Sequence, residues 1–251
     1  MKSQSGNALF LTLIGIVLFG ALSYALTQSG QTSGSIDQEQ ASLMASDILQ
    51  YAQSIENAVA SLRISGGCSE TDISFNHDFD GDGSYIDADD VNNNPTSPSD
   101  LSCHVFHPNG GGIEHVVYLE QPYSQISAPP AFGQFNFWPS TVLGAGQDDR
   151  NDLVMTAASM NPQVCRAINR GLNVPLPDGE VPNDPFTTME ASNTNFQGSF
   201  RDDNIASVPH AIGDGAGGVL DGVTVGCTCQ YGQYSGTTCN NHVFYYTIVS
   251  R

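Results

Sequence analysis

The chain has 251 residues, of which 39% are hydrophobic and 13% are charged, and its formal net charge is −19. A chain of this length can form one globular domain, or one domain with an appendage, and can bury a hydrophobic core. Seven basic residues stand against 26 acidic ones, and Lys2 is the only lysine. This balance argues against nucleic acid as a partner, because binding its phosphates requires a basic surface.

The first predicted element is an apolar helix at residues 8–27. No charge occurs from Ala8 to Leu26, and at about 1.5 Å per residue this run nearly spans a hydrocarbon layer of about 30 Å. Lys2 precedes the run and the next basic residue is Arg63, which favours an N-terminus inside the cell and the rest outside. We therefore expect an inner-membrane anchor with the head in the periplasm or outside the cell. The alternative is a cleaved secretory signal peptide, which would export the head as well.

The cysteine content agrees with export. The six cysteines are an even number, as expected for structural disulfides in an exported chain, and they are Cys68, Cys103, Cys165, Cys227, Cys229 and Cys239. Six cysteines allow fifteen pairings. Proximity in the sequence favours Cys68–Cys103 and leaves Cys165 to join the C-terminal trio. The alternative is a metal site built on Cys227 and Cys229, although zinc ligands are usually spaced by two or more residues.

An amphipathic helix is predicted over residues 36–63, after a Gly/Ser-rich joint at residues 28–35. Apolar residues recur there at helical spacing in two adjacent rows, namely Ala41, Ile48, Ile55 and Leu62 with Ala45, Ala52 and Val59. Such a stripe is typical of a helix packed on its own domain. A second interpretation is that the helix also packs on copies of itself.

Residues 64–251 are predicted to form a β-rich head. The candidate strands are Ile113–Glu120, Phe132–Trp138, Leu153–Ala157, Val219–Thr228 with an Asp221-Gly222 hairpin signal, and His242–Val249. One further helix is expected, with Asn161 as its cap, Pro162 in its first turn and Gly171 at its end. The predicted fold class is α+β: a long N-terminal helix, part membrane-spanning and part amphipathic, carries a β-rich, disulfide-stapled head.

This order of parts resembles the type IV pilins and the pseudopilins of type II secretion. In those proteins a short leader precedes an apolar helix, its amphipathic continuation and a β-rich head. The resemblance implies that the segment at residues 1–7 contains a leader or is a cytoplasmic stub. In the first case Gly6 would be the last residue of the leader, as in a prepilin peptidase site, and the mature chain would start at Asn7. Asn7 replaces the usual Phe or Met, and Leu11 stands where most such proteins have Glu. The implied role is a non-enzymatic structural subunit that associates with itself or with pilus or secretion partners.

Four stretches also resemble a family of membrane-anchored proteins of alphaproteobacteria. They are Gln4–Gly30, Cys103–Gly112, Val164–Leu172 and Val243–Arg251. The family has no established activity. The resemblance therefore implies an anchor and an exported head, and it transfers no catalytic residue.

The strongest local motif is a possible calcium loop at Asp78–Asp89, with the sequence DFDGDGSYIDAD. Asp78, Asp80 and Asp82 fit positions 1, 3 and 5 of an EF-type loop, and glycine occupies position 6. Ser84 can offer its backbone carbonyl at position 7, and Asp89 supplies the carboxylate at position 12. Aspartate at position 12 resembles dockerin and thrombospondin-type loops. The motif predicts bound Ca²⁺, and the alternative is a solvated Asp/Gly turn.

Other motifs give weaker signals. His104-x-x-His107 with His115 offers transition-metal ligands, but an ordinary strand-to-turn segment is the favoured interpretation. Residues 213–218 match the glycine spacing of a dinucleotide fingerprint but precede a predicted strand, which indicates a glycine-rich loop. Nucleophile-elbow, zinc-protease and phosphate-loop motifs are absent from the sequence. We therefore predict that the protein is not an enzyme. The alternative is an exported calcium-stabilised binding domain, adhesin-like, or a hydrolytic one.

Overall fold

The computed structural model of the protein describes residues 14, 16–19, 38–77, 93–116, 135–147, 150–183, 196–200, 211–213, 217–230, 239 and 241–251. The chain divides into two units, Met1–Asp37 and Gln38–Arg251. In the first unit, Ile14 and residues 16–19 are helical and exposed. The rest of the predicted anchor lies outside the described residues. Across the described ranges, no helix combines the length and the apolar composition needed to cross a membrane.

The second unit begins with helix α1 (Gln38–Ile64), which buries the predicted stripe within its own domain. All seven predicted positions are buried, and Ala58 joins them. The helix packs on a second helix and on the last strand of the sheet. The interpretation that this stripe packs on its own domain is thereby confirmed. The opposite face of α1 is mainly polar, with Leu43 and Ile64 as exposed large apolar side chains.

The sheet has four antiparallel strands in the order β1-β2-β4-β3. The strands are β1 (Asn136–Ser140), β2 (Asp152–Ala157), β3 (Val225–Gln230) and β4 (Asn241–Val249). β2 is buried throughout, and β4 is buried from Val243 to Val249. The described part of the head is therefore α+β, as predicted, with an antiparallel sheet whose two central strands form much of the core.

Two predicted strands match closely and others require correction. The predictions at Leu153–Ala157 and His242–Val249 correspond to β2 and β4 within one residue. The strand predicted at Phe132–Trp138 begins at Asn136 within the described residues. The strand predicted at Ile113–Glu120 is wrong over residues 113–116. There the chain turns back, and the Ile113 N–H donates to the Val105 carbonyl at 3.1 Å.

The hairpin predicted at Asp221-Gly222 is also wrong, because β3 begins only at Val225. The Asp221 carboxylate accepts hydrogen bonds from the backbone N–H groups of Gly217 (2.7 Å) and Gly218 (3.1 Å). These bonds close a compact turn ahead of the strand. A side chain that binds preceding backbone groups competes with strand pairing for this segment.

All six cysteines form disulfides: Cys68–Cys103, Cys165–Cys227 and Cys229–Cys239. The pairing favoured by proximity is confirmed, and Cys165 does join the C-terminal trio. Cys227 and Cys229 belong to two different disulfides, so the alternative of a metal site built on their thiolates is wrong. The first bridge ties the chain just after α1 to the 103–113 region, and the second ties a helix to β3.

Aromatic rings connect α1 to the rest of the core. The rings of Phe75 and Phe137 stack with centroids 3.8 Å apart, and Phe196 meets Phe75 edge-on. On the α1 side, Tyr51 contacts Phe135, whose ring contacts Phe244 of β4. Large rings bury much apolar area with few rotatable bonds. They therefore join helix, sheet and connecting segments into one core.

Helix α2 (Pro162–Gly171) is built as its sequence predicts. The Asn161 side chain accepts the Gln163 N–H at 2.8 Å, and proline occupies the first position. Val164 and Ile168 are buried, whereas Leu172 at the end of the same face is 36% exposed.

Asn169 of α2 forms hydrogen bonds with the backbone at the outer edge of β3. Asn169 is fully buried, and its side chain accepts the Cys227 N–H at 2.7 Å and donates to the Cys227 carbonyl at 3.0 Å. Since β3 is an edge strand, its outward backbone groups need partners other than a neighbouring strand. The Asn169 amide supplies both partners at Cys227.

Replacing Asn169 tests this arrangement. We expect Asn169→Leu to lower the free energy of unfolding by about 2 to 5 kcal/mol, because two buried backbone groups lose their partners. The measurement is urea denaturation followed by circular dichroism. Arg170→Leu, at the next and exposed position, is the matched control and should change stability by about 0.5 kcal/mol or less. Equal effects of the two substitutions would contradict the assigned role.

Candidate functional site

The predicted calcium ligands Asp78, Asp80, Asp82, Ser84 and Asp89 lie outside the described residues, as do Gly6 and Asn7. The structure does describe both ends of the acidic segment, residues 71–77 before it and residues 93–97 after it. The described part of the candidate site consists of these flanks and of the histidine-rich residues 103–116.

Hydrogen bonds hold the two flanks of the acidic segment together. The Asn94 side-chain amide donates to the carbonyls of Thr71 and Ile73, both at 2.7 Å. The Thr96 hydroxyl also donates to the Thr71 carbonyl, at 2.6 Å. Gly198 packs over this junction with φ +79°, where a Cβ would lie 2.4 Å from the Asn94 Oδ1. These contacts hold the two flanks of the acidic segment together. Closing the ends of the segment in this way removes much of the entropy cost of ordering it.

A histidine pair lies where the acidic segment begins. The rings of His77 and His115 stack with centroids 3.7 Å apart and planes 15° apart, and Phe106 meets both rings edge-on. Burial, and then the neighbouring His77, lowers the pKa of His115 to about 4. Imidazole lone pairs lie in the ring plane, so those of two stacked rings do not converge on one ion.

His104 is buried at the centre of the neighbouring turn. Its backbone N–H donates to the Leu101 carbonyl at 3.2 Å, and its own carbonyl accepts the Gly111 N–H at 2.8 Å. The backbone at Gly110 passes so close that a Cβ there would lie 2.1 Å from the His104 carbonyl oxygen. Burial, and then His107, lowers the pKa of His104 to about 4, with Asp100 opposing the shift. This ring is therefore neutral at pH 7.

The histidines predicted as possible metal ligands have other roles in this geometry. His107 Nδ1 accepts the Asn109 N–H at 3.0 Å, and His115 stacks on His77. Within the ranges that the structure describes, no group of three or more His, Cys, Asp or Glu side chains is placed to hold a metal ion. The described geometry agrees with the favoured interpretation of residues 104–107 as a strand-to-turn segment.

The glycine-rich loop at residues 213–218 is described except at residues 214–216. Backbone N–H groups in such loops bind phosphate in dinucleotide sites. Here the N–H groups of Gly217 and Gly218 donate to the carboxylate of Asp221 instead. The loop then leads to β3, in agreement with its interpretation as a glycine-rich loop before a strand.

No protein-family model matches the chain, and no significant similarity to a curated protein or to a solved structure is found.

The buried neutral histidines predict acid sensitivity. His104 and His115 have folded pKa values of about 4, below the value of about 6.5 in an unfolded chain. Between these values the unfolded state binds more protons, so stability is complete above pH 6.5 and falls as the pH falls toward 4. We expect the melting temperature of His104→Gln to fall less between pH 7 and pH 4.5 than that of the unmodified chain. An unchanged slope would contradict this assignment.

Proposed function

We propose that the protein is a non-enzymatic, membrane-anchored structural or assembly subunit of the pilin-like type, with a head exported to the periplasm or the cell exterior. The observation that carries this proposal is the attachment of α1 to a disulfide-linked α+β head. Along the chain, the apolar segment at residues 8–27 comes before this helix. The same helix would therefore link an anchor to the displayed head.

Polar contacts reinforce the packing of α1 on the head. Tyr51 accepts the Val116 N–H and donates to the Glu114 carbonyl, each at 3.2 Å. Further along the helix, Tyr246 of β4 donates to the carboxylate of Glu56. Burial and that carboxylate raise the pKa of Tyr246, so the hydroxyl keeps its proton. A helix held in this way moves with its head as one body, which suits a subunit assembled through its N-terminal helix.

Three disulfides support the proposed compartment. Structural disulfides persist in oxidising environments such as the periplasm and the cell exterior. The bridges span separations of 10, 35 and 62 residues, so they constrain the head at several scales. A head with this cross-linking is suited to display outside the cytoplasm.

The mature N-terminus provides the first test. We expect mass spectrometry of the membrane-extracted protein to find a chain that starts at Asn7, as prepilin processing would produce. A start at Tyr24 or Leu26 would remove the anchor and contradict the proposal, and an intact Met1 would contradict prepilin processing. Saturable turnover of ester, peptide or glycan substrates by the purified protein would overturn the non-enzymatic role.

The same proposal places self-association in the anchor. Ala21-x-x-x-Ala25, Gly15 and Gly20 permit close helix approach in lipid. Deletion of residues 1–30 is therefore expected to leave a soluble monomer by light scattering, whereas the full chain in detergent self-associates. A deletion variant that stays oligomeric would move the contact to the head or to α1.

We also propose that calcium stabilises the acidic segment, as in the alternative role of an exported calcium-stabilised binding domain. Asp78, Asp80, Asp82 and Asp89 repel one another in a chain of net charge −19, and a divalent ion would offset that repulsion. The Asn94 bonds to Thr71 and Ile73 support the proposal because they close the ends of the segment.

Chelation tests the calcium proposal. At a free concentration about 100 times the dissociation constant, calcium should add roughly 2.7 kcal/mol to stability. We expect a chelator to lower the melting temperature and Asp80→Ala to abolish the difference. Asp47→Ala, which removes an exposed carboxylate of α1, is the charge-matched control and should leave the calcium effect intact. Equal melting curves with calcium and with chelator would show that the acidic segment is only a solvated turn.

A further inference from the structure

The three disulfides differ in how a reagent can reach them. Cys165 and Cys227 are fully buried, Cys68 and Cys103 are 5% and 3% exposed, and Cys229 is 2% exposed. Cys239 is the one half-cystine of the six that is only partly buried. Thiol–disulfide exchange requires a thiolate to reach a sulfur atom directly. By residue exposure, the Cys229–Cys239 bridge is therefore the one most open to a reagent, from the side of Cys239.

A basic side chain contacts this same sulfur. The Cys239 Sγ lies 3.4 Å from Nε2 and 3.6 Å from Nδ1 of His242. His242 is fixed on the ladder, where it is the cross-strand partner of Cys229. Burial, and then the charge of Arg166, lowers the pKa of His242, with Glu180 opposing. The imidazole is therefore available to take the proton of a cysteine thiol at neutral pH.

We propose that the Cys229–Cys239 disulfide is a thiol–disulfide exchange site for a dithiol, in which His242 stabilises the thiolate of Cys239. Nothing in the assembly role proposed above requires such a site, and the inference stands independently of it.

The exchange balances in two steps. A thiolate of the dithiol attacks Cys239 Sγ, the bond to Cys229 breaks, and Cys229 leaves with the electron pair and takes a proton from water. The second thiol of the dithiol gives its proton to the neutral His242 ring and attacks its partner sulfur in the mixed disulfide. Cys239 leaves as a thiolate, and its charge is stabilised by contact with the His242 ring that this proton has protonated. The dithiol loses two electrons and two protons in forming its own disulfide. The two sulfur atoms of Cys229 and Cys239 gain the electrons, and Cys229 and His242 hold the protons.

The sheet does not depend on the Cys229–Cys239 bridge. The bridge closes a ring of only 10 residues in sequence separation, whereas β3 and β4 remain paired from Val225↔Tyr246 to Gln230↔Asn241. The buried Cys165–Cys227 bridge separately holds β3 to α2. Reduction should therefore release Cys239 from Cys229 and leave the sheet intact.

Limited reduction of the full chain tests the site. Dithiothreitol is added below the amount needed for all three bridges, the reaction is stopped with acid, and alkylated cysteines are quantified by mass spectrometry. We expect Cys229 and Cys239 to be labelled about tenfold faster than the other four, while near-ultraviolet circular dichroism stays native. The buried Cys165–Cys227 bridge is the internal control. Simultaneous labelling of all six cysteines, or earlier labelling of another pair, would overturn the proposal.

A second measurement isolates His242. Cys229→Ser leaves Cys239 as a free thiol, and its rate of alkylation by iodoacetamide is measured against pH. We expect a midpoint below the ordinary thiol value of about 8.5. Adding His242→Gln should restore that value and slow alkylation at pH 7 by about tenfold. His107→Gln is the matched control and should leave the midpoint in place. If His242→Gln leaves the midpoint of the Cys239 alkylation unchanged, the role of His242 is wrong.

Discussion

The double burial of β4 is the constraint on which the rest of the head depends. β4 pairs with β2 on one side and with β3 on the other, and its residues are buried without interruption from Val243 to Val249. Because side chains alternate along a strand, such a run requires cover on both faces of the sheet. Phe244 and Tyr246 point to the face covered by α1, through the Phe135 ring and Glu56. Tyr245 points to the opposite face, where it packs with Val142, Val154 and Ile212.

This constraint explains why segments without regular structure are held so firmly. Residues near Val142 must cover a sheet face, and they are fixed by Asp152, whose buried carboxylate accepts the Val142 N–H at 2.9 Å and the Arg251 N–H at 2.8 Å. Arg251 in turn lies over the Phe200 ring, with its guanidinium carbon 4.0 Å from the ring centroid. A buried carboxylate satisfied by backbone donors orders its surroundings more firmly than an exposed ion pair does.

Elements with a local cause could be predicted from the sequence. The helical spacing of the apolar stripe predicted α1, and continuous apolar runs predicted β2 and β4. A capping residue followed by proline predicted the start of α2. The elements that were missed have distant causes. β3 starts late because Asp221 binds backbone groups that precede it, and residues 113–116 are not a strand because they return to Val105. No sequence pattern predicts the contact of Asn169 with Cys227, because the two residues lie 58 positions apart. The contact of His242 with Cys239 follows from strand register, which spacing alone does not fix.

The closed outer edge of β3 limits how copies of this protein can join. At an open edge, a second chain can add its own strand and extend the sheet, which is how many polymers and aggregates grow. Here Asn169 occupies both backbone groups of Cys227, and the Cys229 N–H donates to the Pro182 carbonyl at 2.8 Å. Strand exchange through this edge would first have to displace a helix that is covalently bound to it. Copies of this unit can therefore be crowded side by side without fusing their sheets along β3.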